Sequence, residues 1–286
     1  MASPPRTFDR ELIATHLRQR PHGIDDFVTG LALDDLGDRL LAVTRSFKRA
    51  LIMAPDAAPL PHAGRSGEGD ILFERAATIA GGAELVDPEA LVLRHPPYDL
   101  IVSIFDLQVV NDVPGFLARI RAQLAPDGLF LAAVIGGDSL TELRRAFLAA
   151  DAEVSGGAFA RVAPFIPLSD CGGLLQRAGF ALPVTDVETH VVRHQSPLAL
   201  MRELKALGAS NPLADRPSRL ATPRLLAAAS AAYSQLAGDP DGRVRATLEI
   251  IWLSGWAPHD SQQRPLRPGT AKTSLAKVLG KKAGET

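Results

Sequence analysis

The chain has 286 residues, of which 46% are hydrophobic and 22% charged, and its 31 basic side chains nearly cancel 32 acidic ones. That composition fits one large globular domain, or one with a sizeable insertion, and the charge balance argues against a protein that holds nucleic acid through a global positive field. The lone Cys171 excludes an internal disulfide framework and a cysteine-rich zinc or iron–sulfur site.

In chain order, Phe8–Arg20 and Ile24–Val43 read as helices, with apolar residues at mixed three and four spacings and acids early. A short apolar strand follows at Ala50–Ala54, then a Pro/Gly-rich run, Ala54–Asp70, that reads as loop or weak structure. "DILFERA" (Asp70–Ala76) and "GAELVDPEALVL" (Gly82–Leu93) each hold a strand-sized apolar segment. "YDLIVSIF" (Tyr98–Phe105) is a continuous apolar run that suits a strand covered on both faces.

Asn111–Gly128 reads as a helix capped by Asn111 or Asp112, with Pro114 in its first turn and Pro126-Asp127-Gly128 ending it. "LFLAAVI" (Leu129–Ile135) is the next strand, far short of the ~20 residues of a membrane-spanning helix. After Gly136-Gly137-Asp138 comes a helix in which Ser139 and Glu142 make a capping-box pattern. Leu168–Phe180 is a short helix stopping at a glycine, with Cys171 as a small buried residue. "PVTDVETHVVRH" alternates like a strand; two helices near Leu198–Leu207 and Pro223–Leu236 precede a last strand, Ala246–Trp256. The tail from Arg264 is basic and reads as solvated.

Strands alternating with helices over short links predict a mainly parallel α/β sheet, whose ligands sit outside the carboxyl ends of the strands. The expected organisation is one domain over 1–262, with a helical N-terminal part at 8–46, a helical insertion at about 196–238, and a basic tail at 263–286.

The stretch from Tyr98 to Phe147 resembles the second half of a class I S-adenosylmethionine (SAM)-dependent methyltransferase, with "LAPDG" similar to the turn before the fifth strand of that superfamily. "FDREL", "VVNDVPG", "IGGDSLTELR", "LLQRAGF", "LKALGASNPL" and "GWAPHDSQQRPLRPGTAKTSLAKVL" together resemble a narrower subgroup. That subgroup contains complex I assembly-factor arginine hydroxylases and the malonyl-carrier-protein methyltransferase of biotin synthesis. The resemblance implies a class I methyltransferase-like, Rossmann-like α/β fold, SAM as cofactor, and a respiratory complex I subunit or other protein as partner.

It also implies site residues. The glycine loop after the first strand falls on Ala54–Ala58, where Ala54 and Asp56 stand as cofactor candidates. A Cβ at each position, together with Pro55, removes backbone freedom and one N–H donor. Glu74 is the nearest candidate for the acid that holds the ribose hydroxyls, Asp87 matches the acid that meets the adenine amine, and Phe105-Asp106 follows the fourth strand. Asp87 reads equally as the cap of the turn before Pro88. Gly136, Gly137 and Asp138 either shape a substrate pocket or form a tight turn into the next helix. His259 is a substrate candidate or part of a polar turn after the last strand.

No general base is assignable. His190 and His194 share a strand face without a third ligand, so no metal site is expected, and no His-x-Asp/Glu motif supports an iron oxygenase. Two functions therefore stand: a SAM-dependent methyltransferase, with arginine hydroxylation by analogy alone, or a degenerate binding or assembly factor that has lost SAM. The N-terminus lacks the apolar core of a secretory signal, and "FDREL" begins at residue 8, which leads to an expectation of a cytoplasmic protein of bacterial type without nucleic-acid binding or a membrane span, peripheral association aside.

Overall fold

In the computed structural model, the structure describes residues 6–263 except 22, 82 and 218–220. The basic tail and the end of the "GWAPHDSQQRPLRPGTAKTSLAKVL" element lie outside the described residues. Seven helices are described: α1 (Arg10–Arg18), α2 (Phe27–Leu41), α3 (Val113–Gln123), α4 (Thr141–Val154), α5 (Leu168–Arg177), α6 (Pro197–Ala206) and α7 (Pro223–Ala237). The strands are β1 (Ala50–Asp56), β2 (Ala63–Ser66), β3 (Gly69–Ala80), β4 (Glu84–Leu85), β5 (Tyr98–Ile104), β6 (Leu124–Ile135), β7 (Ala181–His194) and β8 (Val244–Trp256).

All eight strands join one sheet in the order β2-β3-β1-β5-β6-β8-β7, with β4 beside β3. β3, β1, β5 and β6 run parallel, as does β4 with β3. β8 inserts antiparallel between β6 and β7. The continuous apolar runs of β5 and β6 are explained by cover on both faces. Phe116, Leu117 and Ile120 of α3 and Leu174 and Leu175 of α5 pack on one face, and Leu36 and Leu40 of α2 on the other. Cys171 is fully buried within the first of these layers. A third apolar cluster joins Leu143 and Ala146 of α4, Leu200 of α6, and Tyr233 of α7 to the start of β8.

Several sequence expectations need correction. The Pro/Gly-rich run contains a β-hairpin, because β2 pairs antiparallel with the first residues of β3 from Ala63↔Leu72 to Ser66↔Gly69. β3 runs on to Ala80, whereas the next apolar segment yields only the two-residue β4 and a short 3-10 turn at Pro88–Ala90. α3 ends at Gln123, and "APDG" belongs to the irregular start of β6, with Asp127 at a φ of 62°. The capping box at Ser139 and Glu142 does not form. α4 starts from Leu140 in the left-handed region without a side-chain cap. Ser139 instead exchanges hydrogen bonds with the backbone of Glu249, and the Glu142 carboxylate accepts from the N–H and hydroxyl of Thr247. Both side chains tie α4 to β8.

Candidate functional site

The carboxyl ends of β1, β3, β5 and β6 form one edge of the sheet, and what covers that edge decides what can bind there. Two parallel neighbours in a sheet are usually joined by a helical crossover. Between β1 and β3, all residues from Ala57 to Glu68 are described, and none is helical; the connection is a loop and β2. The helix N-terminus that such a crossover presents to a ligand is therefore missing at this edge.

The residues at the edge are engaged with one another. Ala54 is buried and pairs with Ala77. The Asp56 carboxylate turns back to accept from the N–H of Ala58 at 2.9 Å and lies 3.8 Å from the Arg20 guanidinium. Glu74 stands mid-strand opposite Leu51, where it accepts from the Tyr98 hydroxyl at 2.7 Å and meets His95 at 3.1 Å. The strand end proper is Thr78-Ile79-Ala80, which carries no acid. Asp87 caps the 3-10 turn by accepting from the Glu89 N–H.

Phe105 leaves β5 with a φ of 60°, and Asp106 behind it is fully buried. Asp106 accepts from the hydroxyls of Thr78 and Ser103. Burial pushes its carboxyl up to about 6 against those two hydrogen bonds and the Arg10 charge.

Arg10, from the first turn of α1, is the residue that sequence reasoning missed. Its guanidinium donates to the carbonyls of Thr78 and Val109, bridging the end of β3 and the 3-10 turn Leu107–Val109 that follows β5. Burial lowers its pKa, while Asp106, Asp87 and Glu89 act to raise it, so the cation sits within an acidic socket. Phe8 secures the same segment through its N–H, which donates to the Asn111 side chain at 2.8 Å. One signal was available: a cation in the first turn of a helix opposes the macrodipole and implies a partner.

Gly136, Gly137 and Asp138 form the tight turn from β6 into α4. A Cβ on Gly136 would lie 2.2 Å from the Glu249 carboxylate, which accepts from the Asp138 N–H. His259 is not near them. It follows β8, whose Trp256 pairs with Leu129, at the opposite end of β6 from Ile135, and it bonds to Ser261 in an exposed turn. His190 and His194 lie along β7, His194 against Glu203. Among the described residues, no group of three or more His, Cys, Asp or Glu could hold a metal ion, and no helix is long and apolar enough to cross a membrane.

Beside this edge lies a cavity of about 740 Å³. Pro55, Phe105 and Ile135 form its floor at the strand ends, and residues of α1, α4, α6 and the 207–217 segment wall it. Gly208 packs closely on the carbonyl of His16, which seats that segment on α1.

A mainly parallel sheet with a final strand inserted antiparallel beside β6 defines a class I methyltransferase-type α/β protein. A malonyl-[acyl-carrier protein] O-methyltransferase from Xylella fastidiosa is 31% identical over 242 residues, covering 79% of this chain and 78% of that protein. The chain belongs to this family of SAM-dependent methyltransferases, which its similarity joins to proteins named arginine-hydroxylase NDUFAF5, mitochondrial. The zebrafish NDUFAF5 (Danio rerio) is 36% identical over 202 residues, 71% of this chain and 63% of that protein. The human one is 39% identical over 197 residues, 69% of this chain and 56% of that protein. The chain thus spans less than two thirds of the length of these two relatives. No family model matches the chain. Among solved structures, the YcgJ protein from Bacillus subtilis is similar at a TM-score of 0.47 and 12% identity, over 80% of this chain and 99% of that one. The [4+2]-cyclase SpnF is similar at 0.44 and 13%, over 87% and 92%. The mitochondrial naming of the animal relatives overturns the expectation of a cytoplasmic protein.

Proposed function

We propose that this chain is a binding or assembly member of its family that does not use SAM. The observation that carries the reading is the crossover from β1 to β3, which has a hairpin in place of a helix. Three further features support it. Pro55 and the Cβ atoms of Ala54, Ala57 and Ala58 deny the close backbone approach that glycines give. Arg10 bridges the end of β3 and the 3-10 turn that follows β5. The candidate acids Asp56, Glu74, Asp87 and Asp106 all serve hydrogen bonds or ion pairs within the chain. These residues do not fit SAM.

The partner in this reading is a respiratory complex I subunit, as the similarity to the NDUFAF5 proteins suggests, and the cavity beside Phe105 is the working site. The rival reading, SAM-dependent methyl transfer, draws support from Asp87, two residues past β4, which matches the adenine-binding acid that the family resemblance implies.

Calorimetric titration of the purified protein with SAM and S-adenosylhomocysteine separates the two. Neither ligand is expected to give saturable heat or a thermal shift up to about millimolar concentration. Micromolar binding of SAM, competed by S-adenosylhomocysteine and weakened in Asp87→Ala, would reinstate the methyltransferase. Co-purification of complex I subunits against acyl carrier protein tests the partner.

A further inference from the structure

The walls and the mouth of the cavity differ in chemistry. Leu143 and Phe147 of α4 stand one turn apart, as do Leu200 and Leu204 of α6, and all four line it with Met201. These two i, i+4 rows, on helices that both pack against α7 and share one apolar cluster, make an apolar track. Phe147, Met201 and Leu204 are only partly buried against the cluster they belong to, so apolar surface faces the open space.

Ser139, Arg161, His194 and Thr247 also line the cavity, but one group of polar side chains lies near the C-terminal half of α1 and the 207–217 segment. His16, Lys205 and Arg216 all line the cavity. The His16 Nδ1 is buried without a hydrogen-bond partner, and burial together with the Arg216 and Lys205 charges keeps its imidazole neutral-leaning. Lys205 is exposed, at the last turn of α6. Arg216 is held by Asp9 at 3.1 Å and by the Leu213 carbonyl. Of the acids that line the cavity, Asp26 pairs with Arg20 at 2.7 Å, and Glu203 meets His194 at 3.1 Å, a pair that is ionic only when the imidazole is protonated. With Arg216 already paired to Asp9, the cation open to an incoming negative charge at this end is Lys205, near the buried His16 Nδ1 and the Arg216 N–H groups as further donors.

We infer that the cavity binds a long-chain carboxylate, with its head at His16, Lys205 and Arg216 and its chain along the α4–α6 track. A single charged head on an apolar body matches a site that is mostly apolar with a few convergent polar groups. The inference deepens the binding reading above and rests on it for taking this cavity as the working site.

The test is fluorescence titration of the full chain with 11-(dansylamino)undecanoate, followed by displacement below micellar concentrations. The expected result is saturable one-to-one binding, displaced by palmitate and not by hexadecyltrimethylammonium. Lys205→Glu, at an exposed position, is expected to weaken the probe by about tenfold or more with unchanged melting. Leu204→Trp, which fills the track, should do the same; if it fails to fold, Lys205→Glu carries the comparison. Absence of saturable binding, equal displacement by both amphiphiles, or wild-type affinity in Lys205→Glu would overturn the inference. SAM is titrated separately in the same cell: its binding would sink the cofactor-free reading, whereas the palmitate arm alone decides the carboxylate.

Discussion

Arg10 and Thr78, 68 positions apart, are joined across the top of the sheet: a guanidinium N–H of Arg10 donates to the Thr78 carbonyl while the other terminal nitrogen reaches Val109 at 3.4 Å. Truncating Arg10 to Ala removes both bonds and leaves the buried Asp106 without its counter-charge. The expected loss is about 2–4 kcal/mol in urea unfolding, from the cost of an uncompensated buried group. Arg10→Lys should recover only part of it, because an ammonium lacks the planar fork that spans two carbonyls.

Asp106 should give the protein a pH signature. Its folded pKa, about 6, lies above the ordinary value of 3.8, so the folded state holds the proton more tightly than the unfolded chain. Its contribution is then fully present below about pH 4 and is lost as pH rises through about 6. Wild type should lose about 1–3 kcal/mol relative to Asp106→Asn between pH 4 and pH 7, at about 1.4 kcal/mol per pKa unit. Parallel stability–pH curves for the two proteins would show that folding leaves the pKa of Asp106 at its unfolded value.

Gly136 and Gly173 should answer oppositely to alanine. A Cβ on Gly136 would meet the Glu249 carboxylate at 2.2 Å and dislodge the group that holds the Asp138 N–H. Gly136→Ala is expected to cost about 1–3 kcal/mol. Gly173 sits within α5 with nothing within 4 Å of its would-be Cβ. Gly173→Ala should stabilise by up to about 1 kcal/mol, since alanine loses less backbone entropy in a helix. Thermal melts of the two variants check both signs.

Asp151 on α4 is fully buried and takes two hydrogen bonds from Arg161, at 2.6 and 2.8 Å. Arg161→Ala strands that carboxylate and should cost about 3–5 kcal/mol. The double change Asp151→Leu with Arg161→Met should be distinctly less harmful, because it removes the buried charge along with its partner. A double-mutant cycle by denaturant unfolding measures the difference.

What could be read from the sequence follows the range of the interactions. β5, α3 and α5 were legible because their apolar spacing is local. The capping box at Ser139 and Glu142 was misleading because both side chains bond to β8, more than a hundred positions away. The β2–β3 hairpin was hidden by Pro and Gly, which mark breaks but do not tell a loop from a tight return. At the site, the missing glycines after β1 were visible. The bridging contacts of Arg10 were not, because "FDREL" lies far in sequence from Thr78 and Val109. His259 and Gly136 looked like parts of one site, but the antiparallel run of β8 carries them to opposite ends of the sheet.

The position of β8 also bears on how the protein is made. Synthesis delivers β6 and β7 well before the strand that belongs between them, so until Val244–Trp256 emerges both present open edges to whatever is nearby. A nascent chain halted before Val244 cannot complete its sheet, and chaperone occupancy on the ribosome should remain high until the final strand is released.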